Sequence, residues 1–444
     1  MAKEYDLIVL GTGGAGYRVA RRCSEAGWRV AAIDNGLFGG TCDNIGCIPK
    51  KVLVGAAEAA DLNRRFNELG IVTKADTDWQ KLVEFKRIFV QKVPDETKAG
   101  LTQAGVEIYG GSPRFVSENQ VEINGQTLVS KFFHIAVGAK PAKLQFVGSE
   151  LLITSDRFLD LNELPAQIIF IGGGYVSFEL AHVAARFGAS VTILHTDDRP
   201  LPVFDPDGVK TLIAASQAAG IKVELSATAE DVAKNGDKFI VTAGGKNYEA
   251  DLVVHGAGRL PAIDGLNLEV ANVNYEKRGV IVNEYLQSVS NPSVYAGGDA
   301  AASGPPLSPV ARLHGTIVAD NLLGQKTKQP NYSSTPSVVF TVPPLARVGL
   351  LESEAKEKGL DIRVHTEDIS GWFDAKRTNL KSAMSKVIID NKTDKVLGAH
   401  LIGNHAEDLI NIFGLAIEAG LTVQQIQAPI YSFPTPSDDI RFMV

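Results

Sequence analysis

Two of the chain's three cysteines, Cys42 and Cys47, stand five residues apart in the stretch Gly39-Gly40-Thr41-Cys42-Asp43-Asn44-Ile45-Gly46-Cys47-Ile48-Pro49-Lys50-Lys51. A helix beginning near Cys42 would bring the thiols within bridging range, close to a helix N-terminus. There the dipole lowers a thiol's pKa and favours the reactive thiolate. Structural zinc would need about two more ligands nearby, and the nearest histidine in sequence is His134. Inert buried cysteines would not require the glycines and proline that flank these two. The pattern points to a pair of reactive thiols. Cys23, at helical spacing from Ala15 and Val19, reads as ordinary core.

Two glycine-rich loops supply a second kind of chemistry. The apolar run Tyr5 to Leu10 ends in Gly11-Thr12-Gly13-Gly14-Ala15-Gly16, a helical pattern follows, and a second apolar run closes on Asp34. Glycines at 11, 13 and 16 permit a tight turn and let backbone approach a pyrophosphate at a helix N-terminus, while Asp34 would accept from a ribose hydroxyl. The arrangement recurs from Gln167 to Leu194, with Gly172-Gly173-Gly174-Tyr175-Val176-Ser177 as the loop and His195 in the place of the acid. Asp34 follows Gly16, and His195 follows Ser177, at the same interval of 18 residues. A basic residue there tolerates a ribose 2′-phosphate, which tilts the second loop towards NADPH over NADH with His195 and Arg199 as the contacts. Asp197 and Asp198 pull the other way.

These elements need a large scaffold. At about 150 residues per domain, 444 residues make about three domains. A net charge of −7 argues against nucleic acid and anionic membrane as partners. Glycine, 43 residues, exceeds the usual share of about 7% and is clustered in the loops. Three cysteines cannot make a disulfide framework, and no apolar run approaches the roughly 20 residues of a membrane helix. The N-terminus reads as a strand and not as a leader, so a reducing cytoplasm is the expected compartment. After Pro343-Pro344 the pattern changes to mixed strands and a helix over 407–418, a separate α+β unit.

Further motifs follow in order: Ala136-Val137-Gly138-Ala139-Lys140-Pro141, Gly256-Ala257-Gly258-Arg259-Leu260-Pro261, Tyr295-Ala296-Gly297-Gly298-Asp299, Leu307-Ser308-Pro309-Val310-Ala311, Val339-Phe340-Thr341-Val342-Pro343 and Leu397-Gly398-Ala399-His400-Leu401-Ile402-Gly403. With the loops and the cysteines, this series resembles the flavoprotein disulfide reductase family, which includes glutathione reductases, dihydrolipoamide dehydrogenases and mercuric reductases. The resemblance implies an α/β fold of two Rossmann-like dinucleotide-binding domains, for FAD and NAD(P), plus a C-terminal α+β dimerisation domain. The expected boundaries are 1–145 with 265–332 for FAD, 146–264 for NAD(P)H and 333–444 for the interface of a homodimer. FAD would lie on Gly11, Gly13, Gly14, Gly16, Asp34, Gly138, Gly258 and Asp299, with Thr41 and Lys51 near its isoalloxazine; Gly172, Gly174, His195 and Arg199 would hold the nicotinamide cofactor. Cys47 would meet the flavin as charge-transfer thiol and Cys42 would meet substrate. Glu179 would pair with Lys51, and Tyr175 would cover the nicotinamide pocket. Ser308-Pro309 reads as a helix start, serine as cap and proline in the first turn, aimed at the flavin's pyrimidine edge.

The sequence departs from the family at one place. Disulfide-reducing members carry His-Pro-Thr near the C-terminus and a Glu five residues after the His, supplied by the partner subunit as acid–base pair. Here Phe433 stands for the histidine and Asp438 for the acid. Phenylalanine transfers no proton, and loss of such a group costs about 10²- to 10⁴-fold. Mercuric reductases lack that histidine but add a C-terminal cysteine pair; no cysteine follows Cys47 in this sequence, so delivery of metal by that route is not expected. Tyr431 and Ser432 are candidate weak donors, with dimer packing the competing role for Tyr431. The expected activity is electron transfer from NAD(P)H through FAD and a Cys42–Cys47 disulfide to a small acceptor that needs no histidine acid, such as a metal ion, quinone or other electrophile. A disulfide reductase with a substitute proton donor and a non-catalytic flavin-binding redox sensor are the alternatives.

Overall fold

Leu7, Ile8, Val9 and Leu10 are completely buried, as a parallel strand covered on both faces requires. They end the strand Lys3–Leu10, which pairs in parallel with Val30–Asp34 on one side and Gln126–Ile135 on the other. The computed structural model describes residues 3–324 and 327–444, in two compact units. The first comprises residues 1–49, 85–142 and 258–332. Its seven-stranded sheet adds Glu107–Gly110 and Val294–Ala296 in parallel, and Gln120–Ile123 and Arg114–Ser117 as an antiparallel flank. The helices Gly14–Glu25 and Ser308–Leu323 cover one face together, and Cys23 packs there with Val19 and Val318.

The second unit comprises residues 50–84, 143–257 and 333–444. Its parallel sheet runs Lys222–Glu224, Ser190–Leu194, Gln167–Ile171, Leu252–His255, the strand order of a second dinucleotide fold around the helix Tyr175–Arg186. A separate antiparallel sheet of five strands, Ser337–Val339, Leu345–Gly349, Val396–Ile402, Met384–Asp390 and Ile362–Asp368, carries the helix Ala406–Ala419 on it, where the sequence predicts a helix over 407–418. One apolar core joins Phe170, Phe178 and Leu212 of the dinucleotide fold to Val339, Leu345 and Ile402 of the C-terminal sheet and to Leu53 and Val54 of the helix Cys47–Glu68. Residues 50–84 therefore group with the second dinucleotide fold and the C-terminal sheet, whereas the sequence places them in the first domain.

An ionic knot fastens that unit. Lys386, 6% exposed at its side chain, reaches Asp205 at 3.1 Å, Asp207 at 2.9 Å and Glu352 at 2.8 Å. Asp205 caps the helix Pro206–Ala218 by accepting from the N–H groups of Asp207 and Gly208. Hydrogen bonds from Lys356 and then Lys386 pull the Glu352 carboxyl down to about 2 from 4.5. A lowered carboxyl contributes stability that is complete above its unfolded value and disappears as pH falls through its folded one. Thermal unfolding followed against pH is therefore expected to lose stability between pH 4.5 and about 2, and Glu352→Gln to flatten that limb. Lys386→Met strands the buried Asp205 charge and is expected to cost about 3 kcal/mol or more in urea unfolding.

Candidate active site

Positive-φ glycines bring the cysteines to the phosphate loop of the first unit. Gly39 and Gly40 have φ of +98° and +76°, and a Cβ on Gly40 would stand 2.7 Å from the Cα of Gly13. Only glycine permits that approach. Cys42 lies on the short helix Gly40–Ile45, which breaks at Gly46, where a Cβ would stand 2.9 Å from the Thr41 carbonyl oxygen; Cys47 then opens the helix Cys47–Glu68. The single helix expected from spacing is thus two. The buried Asn44 side chain closes the turn by donating to the Phe38 and Gly40 carbonyls at 3.0 and 2.9 Å, and Thr41 lies exposed beside it.

The sulfurs gather around one oxygen. Ser308 Oγ donates to Cys42 Sγ at 3.0 Å and lies 3.2 Å from Cys47 Sγ. The helix Ser308–Leu323 takes Leu307 as its N-cap residue and uses no side-chain cap, so the hydroxyl serves the sulfurs and not the helix, correcting the reading of Ser308 as a cap. The Cys42 thiol is pushed up, first by its hydrogen bond with Cys47 and then by burial. This reverses the expectation of a lowered thiol: a hydrogen bond to an adjacent sulfur and burial both favour the protonated form, against the lowering hydrogen bond from Ser308.

The first loop fits a dinucleotide. A Cβ on Gly11, φ +100°, would stand 2.3 Å from the Ala136 oxygen, and one on Gly16 would stand 1.9 Å from the Gly11 oxygen. Gly13 is the N-cap of the helix Gly14–Glu25, whose first turn has neither a side-chain cap nor an acid, so its N–H groups are available to a pyrophosphate. A Cβ on Gly14 would meet the Arg312 side chain at 3.4 Å. Asp34 does more than wait for a ribose: its Oδ2 accepts from the Thr12 backbone N at 2.8 Å and Oγ1 at 2.6 Å, and Thr12 Oγ1 in turn accepts from Gly39 N at 3.0 Å. Gly138 and Gly258, both at positive φ, accept at their carbonyls from Ala262 and Ala142, closing the paired strands Ala139–Pro141 and Arg259–Pro261. Burial raises the Asp299 carboxyl while Arg259 opposes it, and the turn before it is held by Gly298 N–H donating to His314 Nδ1 at 3.1 Å. His314 is buried, its pKa lowered to about 4, and its Nε2 bonds the Tyr332 hydroxyl at 2.7 Å.

The second loop repeats this in the other unit. Gly172, φ +105°, packs so closely that a Cβ would stand 2.5 Å from the Ala257 Cα, and Gly174 is the uncapped start of the helix Tyr175–Arg186. His195 Nδ1 accepts from Gly173 N–H at 3.1 Å, and Nε2 faces the Arg199 carbonyl at 3.1 Å. Both ring nitrogens are thus used inside the loop. Arg199 borders a hollow of about 290 Å³ together with Asp198 and Lys210. Tyr175 is half exposed at the start of the helix.

Glu179 sits one turn beyond Tyr175 and is 3% exposed. Its Oε1 accepts from Lys50 Nζ at 2.8 Å and from Phe340 N at 2.8 Å. The expected partner was Lys51, which instead meets Glu58 at 3.1 Å and Glu407 at 3.7 Å, half exposed. Neighbouring residues on a helix point about 100° apart, so only one of two adjacent lysines can face a given carboxylate. Asp61 fixes the facing by receiving Arg65 at 2.9 Å from its own helix and Arg186 at 3.2 Å from the helix of Glu179. Lys50 Nζ also lies 4.0 Å from the Phe340 ring centroid. Sequence alone passed over Lys50, although a doubled lysine after the cysteine pair was a visible signal. In the C-terminal segment the ring of Phe433 is 83% exposed, Asp438 is buried against Arg441, and the Tyr431 hydroxyl donates to the Ile426 carbonyl at 2.8 Å.

Two glycine-cradled nucleotide folds and a close cysteine pair define an oxidoreductase that works through dinucleotides and thiols. Residues 5–315 match the family Pyridine nucleotide-disulphide oxidoreductase, and residues 335–443 match its dimerisation domain. The chain belongs to this family, whose members use FAD and NAD(P)H. It is 33% identical to the mercuric reductase of Staphylococcus aureus over 99% of this chain and 81% of that one, and 32% identical to the dihydrolipoyl dehydrogenase of Bacillus subtilis over 97% and 94%. The structure superposes with a TM-score of 0.90 on the Cu(II) complex of the HOCl-induced flavoprotein disulfide reductase RclA from Escherichia coli, at 28% identity over 100% of this chain and 99% of that one.

The two lysines are separable by experiment. Glu179→Gln leaves the Lys50 ammonium, 13% exposed, without its counter-charge and is expected to lower stability by about 3 kcal/mol. Lys51→Ala removes a half-exposed pair with Glu58, a longer contact to Glu407 at 3.7 Å and an approach to the Phe340 ring at 4.9 Å, and is expected to change it by less than about 1 kcal/mol. Urea unfolding of both variants checks the assignment.

Proposed function

We propose that the chain oxidises NAD(P)H and passes the electrons through a Cys42–Cys47 disulfide to a small acceptor, with a thiophilic metal ion as the leading class and quinones or other electrophiles next. FAD, when bound, supplies the relay from nicotinamide to disulfide. Gly11, Gly13, Gly14, Gly16, Asp34 and Asp299 would hold it, and Gly172, Gly174 and Tyr175 would hold the nicotinamide cofactor. Two electrons and two protons convert the disulfide to the dithiol, with Cys47 receiving the electrons and Cys42 meeting the acceptor.

The observation that carries this reading is Phe433. At the place where a proton donor is expected there is an exposed ring that cannot give one. A metal ion accepts electrons without a proton, whereas each half of a cleaved disulfide needs one. The relatives agree in kind, since they include mercuric reductases and a flavoprotein disulfide reductase in complex with Cu(II). Among the described residues no cluster of three or more His, Cys, Asp or Glu forms, so a metal acceptor would be gripped by the cysteine pair itself. Preference for NADPH rests on Arg199, with Lys210 beside it, and reaches His195 only through the loop it fastens. The dimerisation-domain match and the exposed Ile430, Phe433 and Phe442 support a homodimer, and the scarcity of cysteine supports a reducing cytoplasm.

Anaerobic titration of the FAD-loaded protein with NADPH and NADH is expected to give a long-wavelength thiolate-to-flavin band; its absence, or no reduction by either nucleotide, overturns the proposal. In steady state, Cu(II), Hg(II) or a quinone should turn over at least about 100-fold faster than glutathione disulfide, and Phe433→His should raise the disulfide rate. A disulfide rate equal to the metal rates would instead establish a disulfide reductase with a substitute donor.

A further inference from the structure

The Ser308 hydroxyl hydrogen-bonds with both sulfurs, and it comes from a helix 261 residues further along the chain. Its hydroxyl does not cap that helix, and the next residue, Pro309, has no N–H to offer it. A hydroxyl donates one hydrogen bond and accepts others. It can therefore donate to an anionic sulfur and accept from a protonated one at the same time.

We propose that Ser308 is a catalytic residue that carries the proton between Cys42 and Cys47 in the dithiol. This inference rests on the cysteine pair being the redox centre. In one state Cys47 S–H donates to Oγ while Oγ–H donates to the Cys42 thiolate. A concerted shift breaks the Cys47 S–H and the Ser308 O–H bonds and forms a new O–H and a Cys42 S–H bond. The charge moves to Cys47, no heavy-atom bond changes and no electron is transferred. Run backwards, the same shift makes Cys42 the thiolate without an outside base, which Phe433 could not have been.

The surroundings favour a single shared proton. Two sulfurs this close do not ionise together, and the thiol of Cys42 is raised accordingly. Asp43, on the Cys42 helix, raises Cys42 further, and its carboxylate is met at 4.0 Å by the guanidinium of Arg312 from the Ser308 helix.

The test is the pH dependence of alkylation. Fully reduced protein is labelled anaerobically with iodoacetamide, and modification of Cys42 and Cys47 is followed separately by mass spectrometry. Removing a donor to a thiolate raises its pKa. Ser308→Ala is expected to move the Cys42 midpoint up by about one pH unit, which is about tenfold slower labelling below it. Ser308→Thr and Ser308→Val, alike in shape and different by the hydroxyl alone, should behave as wild type and as the alanine variant respectively, which keeps the comparison valid should Ser308→Ala fold poorly. Superimposable profiles for Thr and Val, or for wild type and Ala, overturn the inference. If the wild type shows the long-wavelength band and these profiles coincide, only the role of Ser308 falls. If the band is missing, the proposed function falls while the alkylation profiles still decide whether Ser308 joins the sulfurs.

Discussion

Two sulfur atoms close enough to share a proton impose the constraint on which the first unit is organised. They repel as anions and would be inert as two neutral thiols, so the reactive state of the pair holds one proton between two sulfurs. The fold meets this by folding the turn after the second strand against the first phosphate loop and then returning the helix Ser308–Leu323 to it. Gly40 against Gly13, Asp34 on Thr12 and Thr12 on Gly39 are the contacts that make the cysteine turn and the nucleotide loop a single piece of structure. Disturbing one disturbs the other.

The two nucleotide loops show the same logic with different residues. In each, the residue at the end of the second strand accepts from the backbone N–H of the residue after the first glycine: Asp34 from Thr12, and His195 from Gly173. The interval of 18 residues is thus the distance at which a strand end reaches back to brace the loop. Ribose recognition is an added duty that a carboxylate can take on with its remaining lone pairs and that this imidazole, with both nitrogens occupied, cannot.

Much of this was legible in the sequence because it is local. Glycines at fixed offsets after an apolar run, and a run closing on a polar residue, are determined within about 30 residues, and the helix over 407–418 is set by its own periodicity. The failures share a cause. That Lys50 and not Lys51 meets Glu179 depends on a rotation set by Asp61, Arg65 and Arg186, and joins residues 129 positions apart. A serine before a proline reads as a cap from its neighbours alone; only the distant sulfurs show that its hydroxyl is engaged elsewhere. The raised Cys42 thiol likewise follows from how near Cys47 falls once Gly46 breaks the helix in two.

The long loop closed by Ser308 also has a meaning in time. At ribosomal speeds of about 5 to 20 residues per second, the roughly 260 residues between cysteine pair and serine take on the order of 13 to 50 seconds to make. For that interval the nascent chain carries its two working thiols without the hydroxyl that later joins them. With only Cys23 besides, itself destined for the core beside Val19, there is almost nothing in the chain for them to pair with wrongly. Poverty in cysteine is, for this protein, a safeguard during its own synthesis.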